Sequence, residues 1–201
     1  LKKGFSTDNE HIYSTVKDLM AKQGLEVLDP IGFNNMYVLA IRQDTADKYH
    51  LNCISDLKKV SNQFVFSPVF EFNNRADGIT AMNNVYNLKF KKVMPIDGVL
   101  GYKAIASGDC DVITAFSTEG LLKKYHLKLL KDDKNAFLSY YAIPMINEST
   151  LTKYPELKDV LDKVTGLLDD ETMCSLNYLV DEEGQTPEKV AHNFLKSKGL
   201  C

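Results

Sequence analysis

Strand-like apolar runs alternate with helical patterns along this chain, and this alternation constrains its fold more than any other feature. The apolar runs cover residues 25–28, 36–41, 64–67, 92–96, 111–116 and 127–130. Helical patterns cover about 8–22, 56–63, 78–88 and 99–107, and further helices begin near 118, 155, 169 and 186. Thr7 with Glu10, and Ser55, are the predicted N-terminal caps of the first two helices. The pattern predicts an α/β fold with a largely parallel, doubly wound sheet.

Two segments, 29–37 and 136–144, interrupt the alternation because they are rich in Pro, Gly, Asn and aromatic residues. They bracket a self-contained α/β block of about 100 residues, as two crossovers between lobes would. The sequence therefore predicts two lobes joined by two hinge crossovers. In this division residues 1–37 and 140–201 are parts of lobe one, and residues 38–139 form an inserted lobe two. A ligand cleft then lies between the lobes, with Tyr37 and Tyr140 at its floor.

Aromatic residues dominate the predicted cleft. Tyr37 and Tyr140 lie on the crossovers, and Phe116 ends a buried strand. Ligands of open α/β sheets bind beyond the carboxyl ends of strands. Aromatic faces hold a quaternary ammonium group through their quadrupoles, since such a cation has no N–H to donate. These rings predict a cage for that group, and core packing is the alternative for each ring taken alone.

Arginine is rare in this chain, since only two of its 24 basic residues are arginine. One of them, Arg75, lies in the loop 70–78 (FEFNNRADG). A guanidinium grips a carboxylate through two parallel hydrogen bonds, which an ammonium cannot do. Arg75 is therefore a candidate to bind a ligand carboxylate. The alternative is a surface arginine paired with Glu71 or Asp77.

Composition excludes several functions. The net charge is −3 and the lysines are dispersed among acids, which argues against nucleic-acid binding. No apolar run approaches the roughly 20 residues of a membrane span. The four cysteines lack zinc-site spacing, so we predict no metal and no cofactor.

Several ordered stretches make the chain resemble the substrate-binding proteins of osmoprotectant-type ABC importers, which handle glycine betaine, choline, carnitine and related compounds. The matching stretches are 32–40 (GFNNMYVLA), 54–59 (ISDLKK), 71–78 (EFNNRADG), 107–112 (SGDCDV), 115–120 (AFSTEG), 130–134 (LKDDK), 153–158 (KYPELK) and 176–181 (LNYLVD). The resemblance covers essentially the whole chain.

The resemblance implies a two-lobed, type II periplasmic-binding-protein-like fold that is not an enzyme. It implies that Tyr37, Phe116 and Tyr140 form the cage, that Arg75 binds the carboxylate, and that the backbone carbonyl of Asn35 faces the cation. The implied partners are a small quaternary ammonium ligand, with ergothioneine among the candidates, and the membrane permease. The implied location is extracytoplasmic, in the periplasm or at the outer face of the membrane, with tethering or fusion to the permease left open.

The chain departs from the family pattern in three respects. Phe116 stands where tyrosine is common, and Ser139 stands where proline is common. The upstream part of the pattern, including the first strands of lobe one and a further cage wall, is missing, so we expect an incomplete lobe one.

Two other functions use the same cleft. One is a ligand-sensing receptor domain, and the other is an enzyme. Candidate groups for an enzyme are the nucleophiles Cys110 and Ser117 and the bases His11, His50, His126 and His192. These residues form no recognisable set of nucleophile, base and orienting group.

Overall fold

The structure is a computed structural model that describes residues 8–200. The strands are β1 (Leu25–Val27), β2 (Tyr37–Arg42), β3 (Val65–Ser67), β4 (Lys92–Val93), β5 (Val112–Phe116), β6 (Leu127–Leu130) and β7 (Met145–Asn147). The α-helices are α1 (Asn9–Ala21), α2 (Gln43–Tyr49), α3 (Phe70–Asn74), α4 (Ala81–Tyr86), α5 (Gly98–Ser107), α6 (Gly120–Lys124), α7 (Glu148–Lys153), α8 (Glu156–Asp162), α9 (Asp170–Asp181) and α10 (Pro187–Ser197). The predicted strands are therefore present, and most predicted helices are found within a few residues of their expected bounds.

The larger sheet has the strand order β4-β3-β5-β2-β6 within residues 8–200. Strand β3 runs parallel to β4 and β5, whereas β2 runs antiparallel to both β5 and β6. The prediction of a largely parallel sheet therefore needs a correction, since the sheet is mixed and β2 is reversed. The reversal has a simple cause. Strand β2 enters the sheet directly from the first crossover, without a preceding helix to turn the chain.

Both faces of this sheet are covered, as expected for a doubly wound fold. Side chains alternate between the faces of a strand. On β2, Leu39 and Ile41 pack into one hydrophobic cluster with Phe66, whereas Ala40 packs into a second cluster with Tyr102. Because a strand buried on both faces is apolar throughout, its sequence does not reveal its direction.

The two crossovers lie side by side between the larger sheet and a small antiparallel sheet of β1 and β7. Backbone bonds join them: Leu28 N donates to Pro144 O at 3.0 Å, and Ile31 N donates to Ala142 O at 2.9 Å. This arrangement confirms the predicted pair of crossovers. The exact division into lobes, and the incompleteness of lobe one, stay predictions.

One helix pair links the chain segments assigned to different lobes. Helix α9 packs against α6 so closely that a Cβ on Gly120 would lie 2.7 Å from the Tyr178 Cα. Asn177 Nδ2 also donates to Thr118 O at 2.8 Å. Glycine is therefore required at position 120, because any larger residue would push the two helices apart.

Two predicted helix caps differ from the structure. Thr7 lies outside the described residues, and the N-cap of α1 is Asp8, which accepts from the N–H groups of Glu10 and His11. The helix expected over 56–63 is instead two 3-10 turns, Ile54–Lys59 and Ser61–Gln63. The first turn has Cys53 and not Ser55 as its N-cap, and the Asp56 carboxylate accepts from the preceding Asn52 N and Cys53 N.

Candidate ligand-binding site

Arg75 is at the centre of a hydrogen-bonded polar cluster at the end of α3. Its Nε donates to Asp77 Oδ1 at 2.8 Å, and its Nη2 donates to Asp77 Oδ2 at 2.7 Å. Nη1 donates to Glu71 Oε1 at 3.0 Å, and Nη2 also donates to the Tyr140 hydroxyl at 2.7 Å. Glu71 and Asp77, the acids of the alternative prediction, therefore both bind Arg75. Tyr140, a predicted cage residue, also binds it.

These contacts leave Arg75 with little capacity for another anion. A guanidinium carries five N–H donors. Four of them are used by partners within residues 8–200, which leaves one on Nη1. One guanidinium and two carboxylates together carry a net charge of −1. The cluster as a whole therefore attracts a cation, while Arg75 keeps one donor for a carboxylate.

Asp77 and Tyr140 have fixed protonation states at neutral pH. The hydrogen bonds from Arg75 hold the pKa of the Asp77 carboxyl at about 2, with burial opposing and the Tyr140 hydroxyl assisting. Burial, followed by the hydrogen bond to Asp77, raises the pKa of Tyr140 to about 12. Asp77 is therefore ionised and the Tyr140 hydroxyl is neutral, which allows Tyr140 to donate to Asp77.

A tight turn fixes the position of Asp77. The chain passes from α3 to α4 through the turn Ala76–Thr80, in which Gly78 has φ −97° and ψ −123°. A Cβ on Gly78 would lie 2.0 Å from the Phe72 carbonyl oxygen. Since no side chain fits there, glycine is required for the turn that brings Asp77 back to Arg75.

The aromatic part of the site begins at the first residue of β2. Tyr37 lies opposite Phe116 in the register of β2 and β5, and their rings stack with centroids 4.6 Å apart. Phe72 meets the Tyr37 ring edge-on at 5.0 Å. Tyr37 is only 3% exposed, whereas Phe116 is half-buried. Tyr37 therefore supports Phe116 from behind, and Phe116 offers the more accessible ring face.

The aromatic stack adjoins the polar cluster. Burial and the negative charge of Glu71 raise the pKa of the Tyr37 hydroxyl, whereas Arg75 lowers it. These charges act on Tyr37 because the polar cluster lies nearby.

Asn35 and its neighbour Asn34 tie the two crossovers together at this point. Asn35 N donates to Tyr140 O at 3.1 Å, and the Thr118 hydroxyl donates to Asn35 Oδ1 at 2.7 Å. Asn34 Oδ1 accepts from Tyr140 N at 2.6 Å. The Asn35 carbonyl oxygen accepts no hydrogen bond from residues 8–200, so its lone pairs are not used by the described protein.

The structure thus brings the five predicted site residues into one neighbourhood, at the junction of both crossovers with the end of β5. Asp77 was expected only as a possible partner of Arg75, and its bond to Tyr140 was not predicted. Asn34 was not predicted as a site residue, although both residues lie inside the stretches that carry the family resemblance.

Two cavities border this neighbourhood, and the lining of each includes one of the five predicted site residues. A groove of about 790 Å³ runs along β6 and includes Tyr37, Leu129 and Cys174 in its lining. A cavity of about 420 Å³ lies between α1 and the second crossover, with Tyr13 and Tyr140 in its lining. Neither lining includes Arg75 or Phe116.

The candidate nucleophiles serve the structure. The Ser117 hydroxyl donates to Asn34 O at 2.6 Å and accepts from Met36 N at 3.1 Å, which holds the first crossover against β5. Cys110 is 1% exposed, and burial raises the pKa of its thiol. Within residues 8–200 no group of three His, Cys, Asp or Glu side chains is placed to hold a metal ion. No helix in that range is long and apolar enough to cross a membrane.

Comparison with known proteins decides the family. The profile of the substrate-binding domain of ABC-type glycine betaine transport systems matches residues 7–197. The chain belongs to this family. Its members are transport proteins, and the enzyme alternative has no support from this membership.

Two relatives show the range of the family. The carnitine transport binding protein OpuCC of Listeria monocytogenes is 40% identical over 169 residues, which cover 84% of this chain and 55% of that protein. The ergothioneine transport permease/ergothioneine binding protein EgtU of Helicobacter pylori is 35% identical over 189 residues, 94% of this chain and 34% of that protein. The chain therefore spans about half of one relative and a third of the other.

A solved structure agrees with the fold. The crystal structure of a glycine betaine/carnitine/choline ABC transporter protein superposes with a TM-score of 0.92 at 33% identity. The match covers 100% of this chain and 74% of the other chain. This match confirms the predicted periplasmic-binding-protein-like α/β fold.

Proposed function

We propose that the protein captures a quaternary ammonium compound in this site and delivers it to the membrane permease of an ABC importer. The ligand candidates are glycine betaine, carnitine, choline and the betaine-like amino acid ergothioneine. The observation that carries the proposal is the junction of the crossovers, where aromatic rings adjoin a polar cluster of net charge −1.

Each site residue has a distinct role in this proposal. Phe116 and Tyr140 provide ring faces for the trimethylammonium group, and Tyr37 supports Phe116. The Asn35 carbonyl faces the cation. Arg75 contacts a ligand carboxylate through its remaining Nη1 donor. Each ring contributes about 0.5–2 kcal/mol, depending on how fully the cation is desolvated.

The names of two relatives favour a role in transport over a role in sensing. The Helicobacter pylori relative combines a permease and a binding protein under one name, and the Listeria monocytogenes relative is a transport binding protein. We therefore infer an extracytoplasmic location, where a permease receives its ligand. A receptor domain would use the same cleft without a permease.

Calorimetry of the full-length protein tests the cation cage. We expect choline to bind at least tenfold more tightly than 3,3-dimethyl-1-butanol, its uncharged carbon isostere, because only choline is attracted by the rings and the cluster. Phe116→Ala and Tyr140→Ala should weaken choline, glycine betaine and carnitine by similar factors, because the three ligands share the caged group.

Equal binding of choline and its isostere would show that the site recognises shape and not charge. Absence of binding for every quaternary ammonium ligand in the panel would overturn the proposed function itself.

A further inference from the structure

Asp77 binds both Arg75, the predicted partner of a ligand carboxylate, and Tyr140, a predicted cage wall. Its Oδ1 accepts from Arg75 Nε, and its Oδ2 accepts from both Arg75 Nη2 and the Tyr140 hydroxyl. Asp77 is 5% exposed, while the Arg75 side chain is 39% exposed. The buried Asp77 carboxylate therefore occupies the Nε–Nη2 edge of the guanidinium, with two parallel hydrogen bonds.

The Asp77 carboxylate is held where a ligand carboxylate would otherwise bind. The Nε and Nη2 edge of a guanidinium is one of the faces that grip a carboxylate through two parallel bonds. The turn around Gly78 fixes the Asp77 backbone, since Gly78 packs directly on the Phe72 carbonyl. To displace the Asp77 carboxylate from this edge, a ligand has to break its hydrogen bonds to Arg75 and Tyr140.

The other face of Arg75 is also partly occupied. Away from the Asp77 edge, Nη1 donates to Glu71 and Nη2 donates to Tyr140. A ligand carboxylate that approaches Nη1 meets one free N–H and the nearby carboxylates of Glu71 and Asp77. The ligand cation, in contrast, meets aromatic rings and a cluster whose net charge is −1.

We propose that Asp77 is a specificity-determining residue. It occupies the Nε–Nη2 edge of Arg75, the fork, and so prevents a ligand carboxylate from making two parallel hydrogen bonds there. The ligand cation then becomes the dominant recognition element. This inference rests on the proposed function, because it concerns which quaternary ammonium ligands the site accepts. It assigns to the site ligands that carry a trimethylammonium group with or without a carboxylate. We expect wild-type affinities for choline and glycine betaine to lie within about tenfold of each other, or 1.4 kcal/mol.

The test is calorimetry of choline and glycine betaine with the full-length protein and its Asp77→Asn variant. Asparagine has a similar shape, but it offers one acceptor where aspartate offers two, and it removes one negative charge. We expect choline to bind more weakly and glycine betaine to bind as well or better. The ratio of choline Kd to glycine betaine Kd should rise at least tenfold.

Glu71→Gln is the matched control, because it removes the negative charge of another partner of Arg75 but leaves Asp77 bound to the fork. We expect it to change the Kd ratio no more than threefold. An equal shift in both variants would reduce the effect to charge alone and overturn the role of the fork. An unchanged ratio in Asp77→Asn, or a preferential loss of glycine betaine, would also overturn it.

Arg75→Lys keeps the proposal testable if Asp77→Asn does not fold. Lysine retains the charge and single hydrogen bonds but has no fork. Because Asp77 already occupies the fork, the Kd of this variant for glycine betaine should stay within about threefold of wild type. A tenfold or larger loss of glycine betaine with choline unchanged would mean that the ligand uses the fork.

Failure of this inference differs from failure of the proposed function. A wild-type protein that binds neither choline nor glycine betaine contradicts both. A wild-type protein that binds these ligands, with a ratio that does not respond to Asp77→Asn, contradicts only the role of Asp77.

Discussion

The two arginines of the chain serve regions with different tasks. Arg42 ends strand β2, and Arg75 lies near Tyr37, which begins it. Arg42 Nη1 donates to the backbone carbonyls of Ile105 and Cys110, both at 2.9 Å. Arg75 instead donates to the side chains of Glu71, Asp77 and Tyr140.

Both arginines have carboxylate and hydroxyl partners, which for Arg42 include Asp111 and Thr45, but Arg42 also binds backbone carbonyls. The Ile105 carbonyl lies in the last turn of α5 and also accepts from Gly108 N, whereas the Cys110 carbonyl lies just before β5. By binding both carbonyls, Arg42 joins α5 to the sheet. Carboxylate and hydroxyl partners can be arranged around a ligand, and they set the net charge of a site. Arg42 therefore has a structural task, whereas for Arg75 we propose a task in ligand recognition.

The largest effect on stability is expected for Arg42→Ala. The Cys110 carbonyl loses its Arg42 donor, and a buried carbonyl without a donor costs about 1–3 kcal/mol. The variant also loses the hydrogen bonds to Ile105 O and to the Thr45 hydroxyl. We expect a corresponding loss of unfolding free energy in chemical denaturation of the full-length protein, with ligand affinity unchanged within twofold. Lys103→Ala, an exposed change on helix α5, should stay within about 0.5 kcal/mol of wild type. Weaker ligand binding in Arg42→Ala, without a loss of stability, would contradict the structural role of Arg42.

A smaller effect, on affinity, is expected for Arg75→Ala. Loss of a single hydrogen bond to a charged group costs about 1.5–3 kcal/mol. We expect glycine betaine and carnitine to lose affinity by this amount, whereas choline should bind at least as well, since the variant makes the cluster more negative. Calorimetry with the three ligands measures the difference. Unchanged affinities for both zwitterions would remove Arg75 from the site and leave it as a surface ion pair.

Much of the fold was predictable from local sequence. Apolar runs such as 111–116 and 127–130 predicted the positions of strands, because the residues of a buried strand are consecutive in the sequence. The crossovers were predictable because Pro, Gly and Asn interrupt the alternation there. The reversed direction of β2 was not predictable, since a strand buried on both faces reads the same in either direction.

The candidate site was predictable as a set of residues but not as a network. Tyr37, Phe116, Arg75 and Tyr140 were identified from aromatic clusters, a rare arginine and the family resemblance. The role of Asp77 depends on a bond to Tyr140, 63 positions along the chain, and no local pattern reports such a contact. The sequence left two possibilities for Arg75, a ligand carboxylate or a pair with Glu71 or Asp77, and the structure shows Asp77 bound to its Nε and Nη2.

A crystal structure of the full-length protein with bound choline would locate the ammonium group in the site. We expect this group to lie within about 6 Å of the Phe116 and Tyr140 ring centroids. We also expect the Asp77–Arg75 pair to stay intact beside the ligand. Choline bound instead in the groove along β6, away from both rings, would contradict the proposed cation cage.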